Sequence, residues 1–250
     1  DLFEDRGIAG KGAARQGQIR YTHGFGGGTS LSVSVENPET VRIATSATYV
    51  DPVVTSPGAN DPLPQFTGAV THKWSKGIAK FGFLVDGGKG INDGAGSSGR
   101  AVAWGVQGGL LYKFNKRTSA AILGFFGYGT GGHFAGQPAE LAVTGINGAR
   151  ARVRTVRNYG GYAWIRHEWT DELSSYLVYG RHDGDVEQRI AKGNIAAGTL
   201  DAHWEIVANI VWEPVKSVDL AIEYHFIKSQ FHNARESTVN RIQASMRYKF

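Results

Sequence analysis

Strict alternation of apolar and polar side chains defines the last ten residues of the chain, Arg241–Phe250. The even-numbered positions are all apolar, whereas the odd-numbered positions are polar or cationic: Arg241, Gln243, Ser245, Arg247 and Lys249. Because successive side chains of a β-strand point to opposite faces, this segment is predicted to be a strand with one apolar and one cationic face. A chain that repeats the pattern can close a barrel with lipid outside and water inside.

The same period of two recurs along the rest of the chain. Leu31–Val35, Trp204–Trp212 and Val218–Phe226 each place apolar residues at every second position. The two faces are hard to tell apart in 118–128 and in 173–181. Apolar spacings of three and four, which indicate an amphipathic helix, are never sustained over three turns. The sequence therefore predicts an all-β fold, a single transmembrane antiparallel β-barrel domain over residues 1–250 with about eleven strands.

Short and long connections alternate between the predicted strands. Tight turns are predicted near Gly26–Gly28, Ser75–Gly77, Asn115–Arg117, Thr170–Glu172 and Glu213–Ser217. Long polar connections are predicted at about 37–64, 86–100, 129–157, 182–200 and 228–238. Outer-membrane barrels have this arrangement, with short periplasmic turns and longer extracellular loops. Aromatic residues near the strand ends, among them Trp74, Trp169 and Tyr248, fit the interfacial girdles of such barrels.

Composition narrows the class of protein further. The chain has no Cys, which excludes disulfides and thiolate metal sites. It has no run of apolar residues long enough to predict a transmembrane helix. The formal net charge of +5 and the pI near 9.4 indicate an anionic partner, with nucleic acid, anionic lipid and anionic solutes as the candidates.

The number of strands and their directions conflict with closure of a barrel. If the last strand ends in the periplasm, the first predicted strand, at about 15–24, runs inward from the extracellular side. Single-chain bacterial barrels have an even number of strands. Either strands that precede this chain complete the barrel, or the count is wrong by one, and the first alternative is our expectation.

Several stretches resemble the DcaP-like porins of Gram-negative outer membranes. They are Arg15–Thr22, Leu31–Thr40, Asn209–Val215, Val218–Tyr224 and the terminal Tyr248–Phe250. The resemblance covers most of the chain, in order, as patterned strands rather than as an invariant site. It implies a sixteen-stranded homotrimeric channel for small, often anionic solutes such as dicarboxylates, of which this chain would be the C-terminal portion. The terminal aromatic residue also resembles the signal that the barrel-assembly machinery recognises.

The phase of the strands assigns a set of cations to the water-facing side. Rings of Arg and Lys can give a pore a preference for anions, and a guanidinium can bind a carboxylate with two hydrogen bonds. The alternative is that these side chains form only the solvated wall of a wet barrel, balanced by neighbouring carboxylates such as Glu36, Glu168 and Asp219. The candidate anion-binding residues on strands are Arg20, Lys73, Lys80, Lys113, Arg166, Arg241 and Arg247, with Gln18 and Lys249 on the same side.

A second cationic group lies at the end of a long connection. Arg150, Arg152, Arg154 and Arg157 fall within eight residues, and the first three share one side if the segment is extended. Like charges so close together repel one another unless an anion or carboxylates compensate them. This group could form a pore mouth that attracts anionic solutes, an outer-surface patch that binds lipopolysaccharide phosphates, or a solvated loop.

No motif in the sequence indicates an enzyme. Residues 127–132 match a Gly-rich dinucleotide pattern but no helix follows, and the eight His residues lack metal-ligand spacing, so no cofactor is predicted. The sequence predicts an outer-membrane porin for small anionic solutes, in contact with outer-membrane lipid and lipopolysaccharide and without a nucleic-acid partner. A homotrimer is expected from the resemblance, with 118–128 and 173–181 as strands that could face a neighbour. The alternative is a non-channel barrel with a plugged lumen and a structural or adhesive role.

Overall fold

A computed structural model describes residues 17–38, 43–45, 58–59, 61–92, 98–133, 141–144, 152–186, 199–232 and 235–249. Within these ranges the strands are β1 (Gln18–Gly26), β2 (Thr29–Glu36), β3 (Ile43–Thr45), β4 (Gly58–Ala59), β5 (Gln65–Trp74), β6 (Gly77–Asn92), β7 (Ser98–Lys113), β8 (Thr118–Tyr128), β9 (Leu141–Thr144), β10 (Arg152–Thr155), β11 (Arg157–Glu168), β12 (Leu173–Asp185), β13 (Leu200–Val215), β14 (Val218–Phe231) and β15 (Arg235–Tyr248). One short 3₁₀ helix covers Gly131–His133. No helix of the described ranges is long and apolar enough to cross a membrane.

Eleven of these strands form one antiparallel sheet in the order β1-β2-β5-β6-β7-β8-β11-β12-β13-β14-β15, and the short β4 pairs with β6. Consecutive long strands are always neighbours, as in an up-and-down meander. The predicted all-β fold with eleven strands is therefore confirmed. The sheet is open, with β1 and β15 at its two edges.

One end of the sheet carries the tight turns, and we call it the turn end. The predicted turns after Gly26, Trp74, Lys113, Glu168 and Val215 are all present. The first of them needs glycine, because Gly28 has a φ of +82° and a Cβ there would lie 1.9 Å from the carbonyl oxygen of Lys73. The opposite end, which carries the longer connections, is called the loop end.

Three of the five connections at the loop end are shorter than predicted, whereas those between β2 and β5 and between β8 and β11 have about the predicted bounds. β6 continues to Asn92 and β7 begins at Ser98, so most of the predicted 86–100 connection is paired strand. β12 likewise continues to Asp185, β14 continues to Phe231, and β15 begins at Arg235. The prediction was wrong at these boundaries because ladder hydrogen bonds need only backbone groups, and they continue where the alternation of side chains has stopped.

A second, three-stranded sheet with the order β10-β9-β3 was not predicted. Its strands come from two of the long connections, and β3 is parallel to β9. Leu141 and Ala142 of β9 are fully buried. β10 contacts β7, and a Cβ on Gly129 would lie within 3 Å of both Ala103 and Thr155. The loop end of the large sheet is thus partly covered by the chain's own connections.

The large sheet has one apolar face and one polar face, and their exposure is the reverse of that in a soluble protein. Apolar side chains point outward: Ile222 is 63% and Ile242 77% exposed. On the opposite face, Glu223 and His225 are 1% and 2% exposed. Soluble proteins bury apolar groups and expose charged ones. We call these two surfaces the apolar face and the polar face.

Candidate functional site

A group of converging polar side chains surrounds a cavity of about 500 Å³ on the polar face. Strands β1, β2 and β5 to β8 form its wall, which includes Gln18, Arg20, Ser34, Glu36, Gln65, Thr67, Lys80, Gln107 and His133. Glu36 Oε1 accepts hydrogen bonds of 2.8 Å from both Ser34 Oγ and Thr67 Oγ1. The cavity therefore holds two cations, Arg20 and Lys80, opposite a carboxylate that hydroxyl groups already stabilise.

Buried polar atoms without a protein partner also line this cavity. Gln65 Oε1 and His133 Nε2 are both inaccessible and make no hydrogen bond with the described residues. Burial, together with the charge of Lys89, lowers the pKa of His133 to about 4, so its imidazole is neutral at pH 7. Native proteins leave few such atoms unsatisfied. The wall of this cavity therefore contains buried polar atoms that could bind water or a solute.

A second cavity, of about 560 Å³, opens at the turn end of β7, β8 and β11. Its charged lining consists of five cations and one carboxylate: Lys76, Lys113, Lys116, Arg117, Arg166 and Glu168. Arg166 Nη1 is 2.8 Å from Glu168 Oε1. Arg117 Nη1 donates to the carbonyl oxygen of Trp169 at 2.9 Å. The remaining cations give this end of the polar face a positive field.

Cations on β15 are compensated more closely. Arg247 Nε donates to Asp219 Oδ2 at 2.8 Å, and Lys249 Nζ is 2.7 Å from Asp219 Oδ1 and 3.2 Å from Glu213 Oε1. The hydrogen bond to Asp219 raises the pKa of Lys249. Arg241 bonds to Gln243. This part of the polar face is nearer to electrical neutrality than the turn-end cavity.

A chain of buried polar groups connects β13 and β14 in the same face. His225 Nδ1 is 2.7 Å from Glu205 Oε1, and its Nε2 is 2.8 Å from Glu223 Oε1. Asn209 Nδ2 donates to Glu223 Oε2 at 2.9 Å. Both ring nitrogens of His225 thus lie within hydrogen-bond distance of a carboxylate oxygen. The alternation in β13 and β14 gives these residues the same face, but their contact depends on the register between the two strands.

The predicted cations occupy several different places. Arg20, Lys73, Lys80, Lys113, Arg166, Arg241 and Arg247 all have the phase of the polar face in their strands. The two cavities bring together Arg20 with Lys80 and Lys113 with Arg166. Arg154 is exposed in β10. Arg150 and the side chain of Arg152 lie outside the described residues.

The apolar face carries a belt of exposed side chains that ends in aromatic residues. At the turn end, Trp169, Trp212 and Tyr248 are 57%, 48% and 64% exposed. A lipid-facing barrel wall has such a belt, with aromatic side chains at the membrane interfaces and a polar interior. The two faces and the meander together define the fold of an outer-membrane β-barrel wall.

Comparison with known structures leads to the same class. The chain is similar to the outer membrane channel DcaP of Acinetobacter baumannii, with a TM-score of 0.82 and 20% identity, over 100% of this chain and 67% of that one. An anion-selective porin from Comamonas acidovorans gives a TM-score of 0.57 and 12% identity, over 93% of this chain and 59% of that one. No protein-family description and no curated protein matches the chain. The resemblance to DcaP-like porins is thus confirmed in the fold, and the exposed apolar belt is what the predicted outer-membrane location requires.

Proposed function

We propose that this chain forms most of the wall of an outer-membrane porin through which small hydrophilic solutes diffuse. The observation that supports it best is the polar face, which holds open, charged cavities while the opposite face is apolar and exposed. A channel wall must offer solutes binding weak enough for exit, and scattered Arg and Lys side chains fit that need. Because β1 and β15 have no second neighbouring strand among the described residues, we also propose that further strands of the whole protein close the barrel.

The porin proposal is tested by the conductance of the full-length protein in planar bilayers. Stepwise and stable openings are expected in symmetric KCl. The second candidate is a structural barrel whose lumen is plugged, and it is favoured by the small sheet of β3, β9 and β10 at the loop end. Insertion without conductance would support this candidate and contradict the porin.

We further propose that the channel prefers small anions, dicarboxylates among them. Arg20 and Lys80 face one cavity and Lys113 and Arg166 another, each with a single carboxylate in its lining. A wall with more positive than negative charge raises the local concentration of anions. Paired guanidinium and ammonium groups could also hold the two ends of a dicarboxylate.

The double variant Arg20→Glu and Lys80→Glu should shift the reversal potential in a KCl gradient toward cation selectivity. The change reverses two charges in one cavity, so its effect should exceed that of Lys216→Glu, which changes an exposed turn residue. Both variants should keep the wild-type conductance steps. Equal reversal potentials for the double variant and the wild type would remove Arg20 and Lys80 from the selective part of the pore.

The loop arginines and the oligomer belong to the same proposal. The triple variant Arg150→Ser, Arg152→Ser and Arg154→Ser should weaken anion preference if these residues form the pore mouth, and unchanged selectivity would favour the surface-patch alternative.

The proposed homotrimer is supported by an apolar groove of about 440 Å³ on the apolar face, whose lining includes Leu110, Ile122, Ile165, Leu177 and Tyr179. It spans the two weakly patterned strands. The mass of the protein in a mild detergent tests this assembly.

A further inference from the structure

The polar face contains an aromatic patch that a wall built only for hydrophilic solutes does not need. Tyr162 and Trp164 of β11 and Tyr176 of β12 are partly exposed and pack against Val178 and Val207, which are 4% and 0% exposed. We call these five residues the aromatic patch. The rings of Trp164 and Tyr176 are tilted, with centroids 6.3 Å apart. Barrel interiors are polar as a rule, so this local change of character calls for a ligand or a packing partner.

Lipid is not the occupant of this patch. Trp164 pairs in register with Val178, and Val178 with Val207, so the patch follows the phase of Arg166, Asn209 and Glu223 on the polar face. The lipid-facing side chains of the same strands, Ile165 and Leu177, have the opposite phase. Whatever covers the aromatic patch must therefore arrive through the water on the polar side.

A cation lies directly beside the rings. The guanidinium carbon of Arg166 is 5.5 Å from the centroid of the Tyr176 ring. Arg166 is also part of the cationic cavity at the turn end, where Lys113 is a further lining residue. An apolar surface bordered by an arginine is complementary to a molecule with an apolar ring and one acidic group. Arg166 Nη1 also lies 2.8 Å from Glu168 Oε1, but the cavity beside the rings is lined by five cations and this one carboxylate, so its field still favours an acid over an organic cation.

We propose that the aromatic patch and Arg166 form a binding site for aromatic or cyclic monocarboxylates. The ring of the solute stacks on Trp164 and Tyr176, and its carboxylate meets the guanidinium of Arg166. This inference rests on the proposed porin function and deepens it by naming a solute class. The site favours amphipathic acids over acetate, because acetate offers nothing to the rings. Aromatic contacts contribute about 0.5–1.5 kcal/mol, which corresponds to roughly 2- to 12-fold in affinity.

The test is block of the chloride current of the full-length protein in planar bilayers by 2-naphthoate, cyclohexanecarboxylate and acetate. The two ring acids should half-block the current at concentrations about 5- to 10-fold lower than acetate. Trp164→Ala should remove most of this difference, and Arg166→Gln should weaken block by all three acids. Trp204→Ala is the matched control, because Trp204 packs against Phe226 on the apolar face and should leave block unchanged.

Block of the wild-type channel by the ring acids and by acetate can be compared even if a Trp164 variant does not assemble, so the proposal stays testable. Tyr162→Ser then serves as the second variant. Equal block by naphthoate and acetate through an open channel would contradict the binding site and leave the porin intact. In that case the aromatic patch would serve for packing against the chain's own loops rather than for binding a solute. Absence of any chloride current would overturn the porin and this site together.

Discussion

Replacing His225 with Leu should lower the free energy of unfolding by about 3–5 kcal/mol, the usual cost of leaving buried charges without their partner. His225 touches Glu205 and Glu223 at 2.7 and 2.8 Å, and the side chains of these carboxylates are only 6% and 1% exposed. Without the imidazole, two carboxylates remain buried close together, so both desolvation and mutual repulsion oppose folding. Urea titration of folding into phospholipid vesicles, followed by tryptophan fluorescence, measures the change.

Two further variants separate this charge effect from a simple loss of packing. His203→Leu removes a half-buried imidazole that forms a hydrogen bond with a hydroxyl, Ser229 Oγ at 2.8 Å, and should cost about 1 kcal/mol. His225→Leu combined with Glu205→Gln and Glu223→Gln should recover most of the loss, because no buried charge then lacks a partner. If His225→Leu cost no more than His203→Leu, the buried network would not stabilise the wall.

The second large effect is expected from Ile222→Arg on the apolar face. Ile222 is 63% exposed, and on a soluble sheet an arginine there would cost almost nothing. Near the midplane of a bilayer the same change costs about 2–4 kcal/mol, because no water reaches the guanidinium. The free energy of folding into vesicles should fall by that amount.

Thr238→Arg is the matched control for depth in the membrane. Thr238 has the same phase as Ile222, but it lies toward the loop end of β15, where it pairs in register with Lys228. Arginine near the interface costs about 0–1 kcal/mol, so the two variants should differ clearly. Equal costs would mean that the apolar face does not lie against lipid.

The phase of the strands could be predicted wherever every second residue is large and apolar. β13 and β14 meet that condition, and the residues that alternate with their apolar ones, among them Glu205, Asn209 and Glu223, form the polar face. β8 and β12 do not, because Gly, Ala and Ser weaken the contrast. Phe125 and Val178 also lie on the polar face of these two strands, against the general pattern.

Contacts between distant parts of the chain could not be predicted from alternation. The small sheet joins β3 to β9, which are about a hundred residues apart and only three and four residues long. Strands so short carry no periodic signal. The aromatic patch was missed for a related reason, since Trp164, Tyr176 and Val178 come together only through the register of β11 with β12.

The reversal potential of the full-length protein in a KCl gradient shows whether the polar face lines an anion-preferring channel. With two cationic cavities in the wall, we expect stable openings and a reversal potential shifted toward the chloride equilibrium potential. A shift toward the potassium equilibrium potential would contradict the assigned selectivity. Protein that inserts into the bilayer and carries no current would contradict the channel itself.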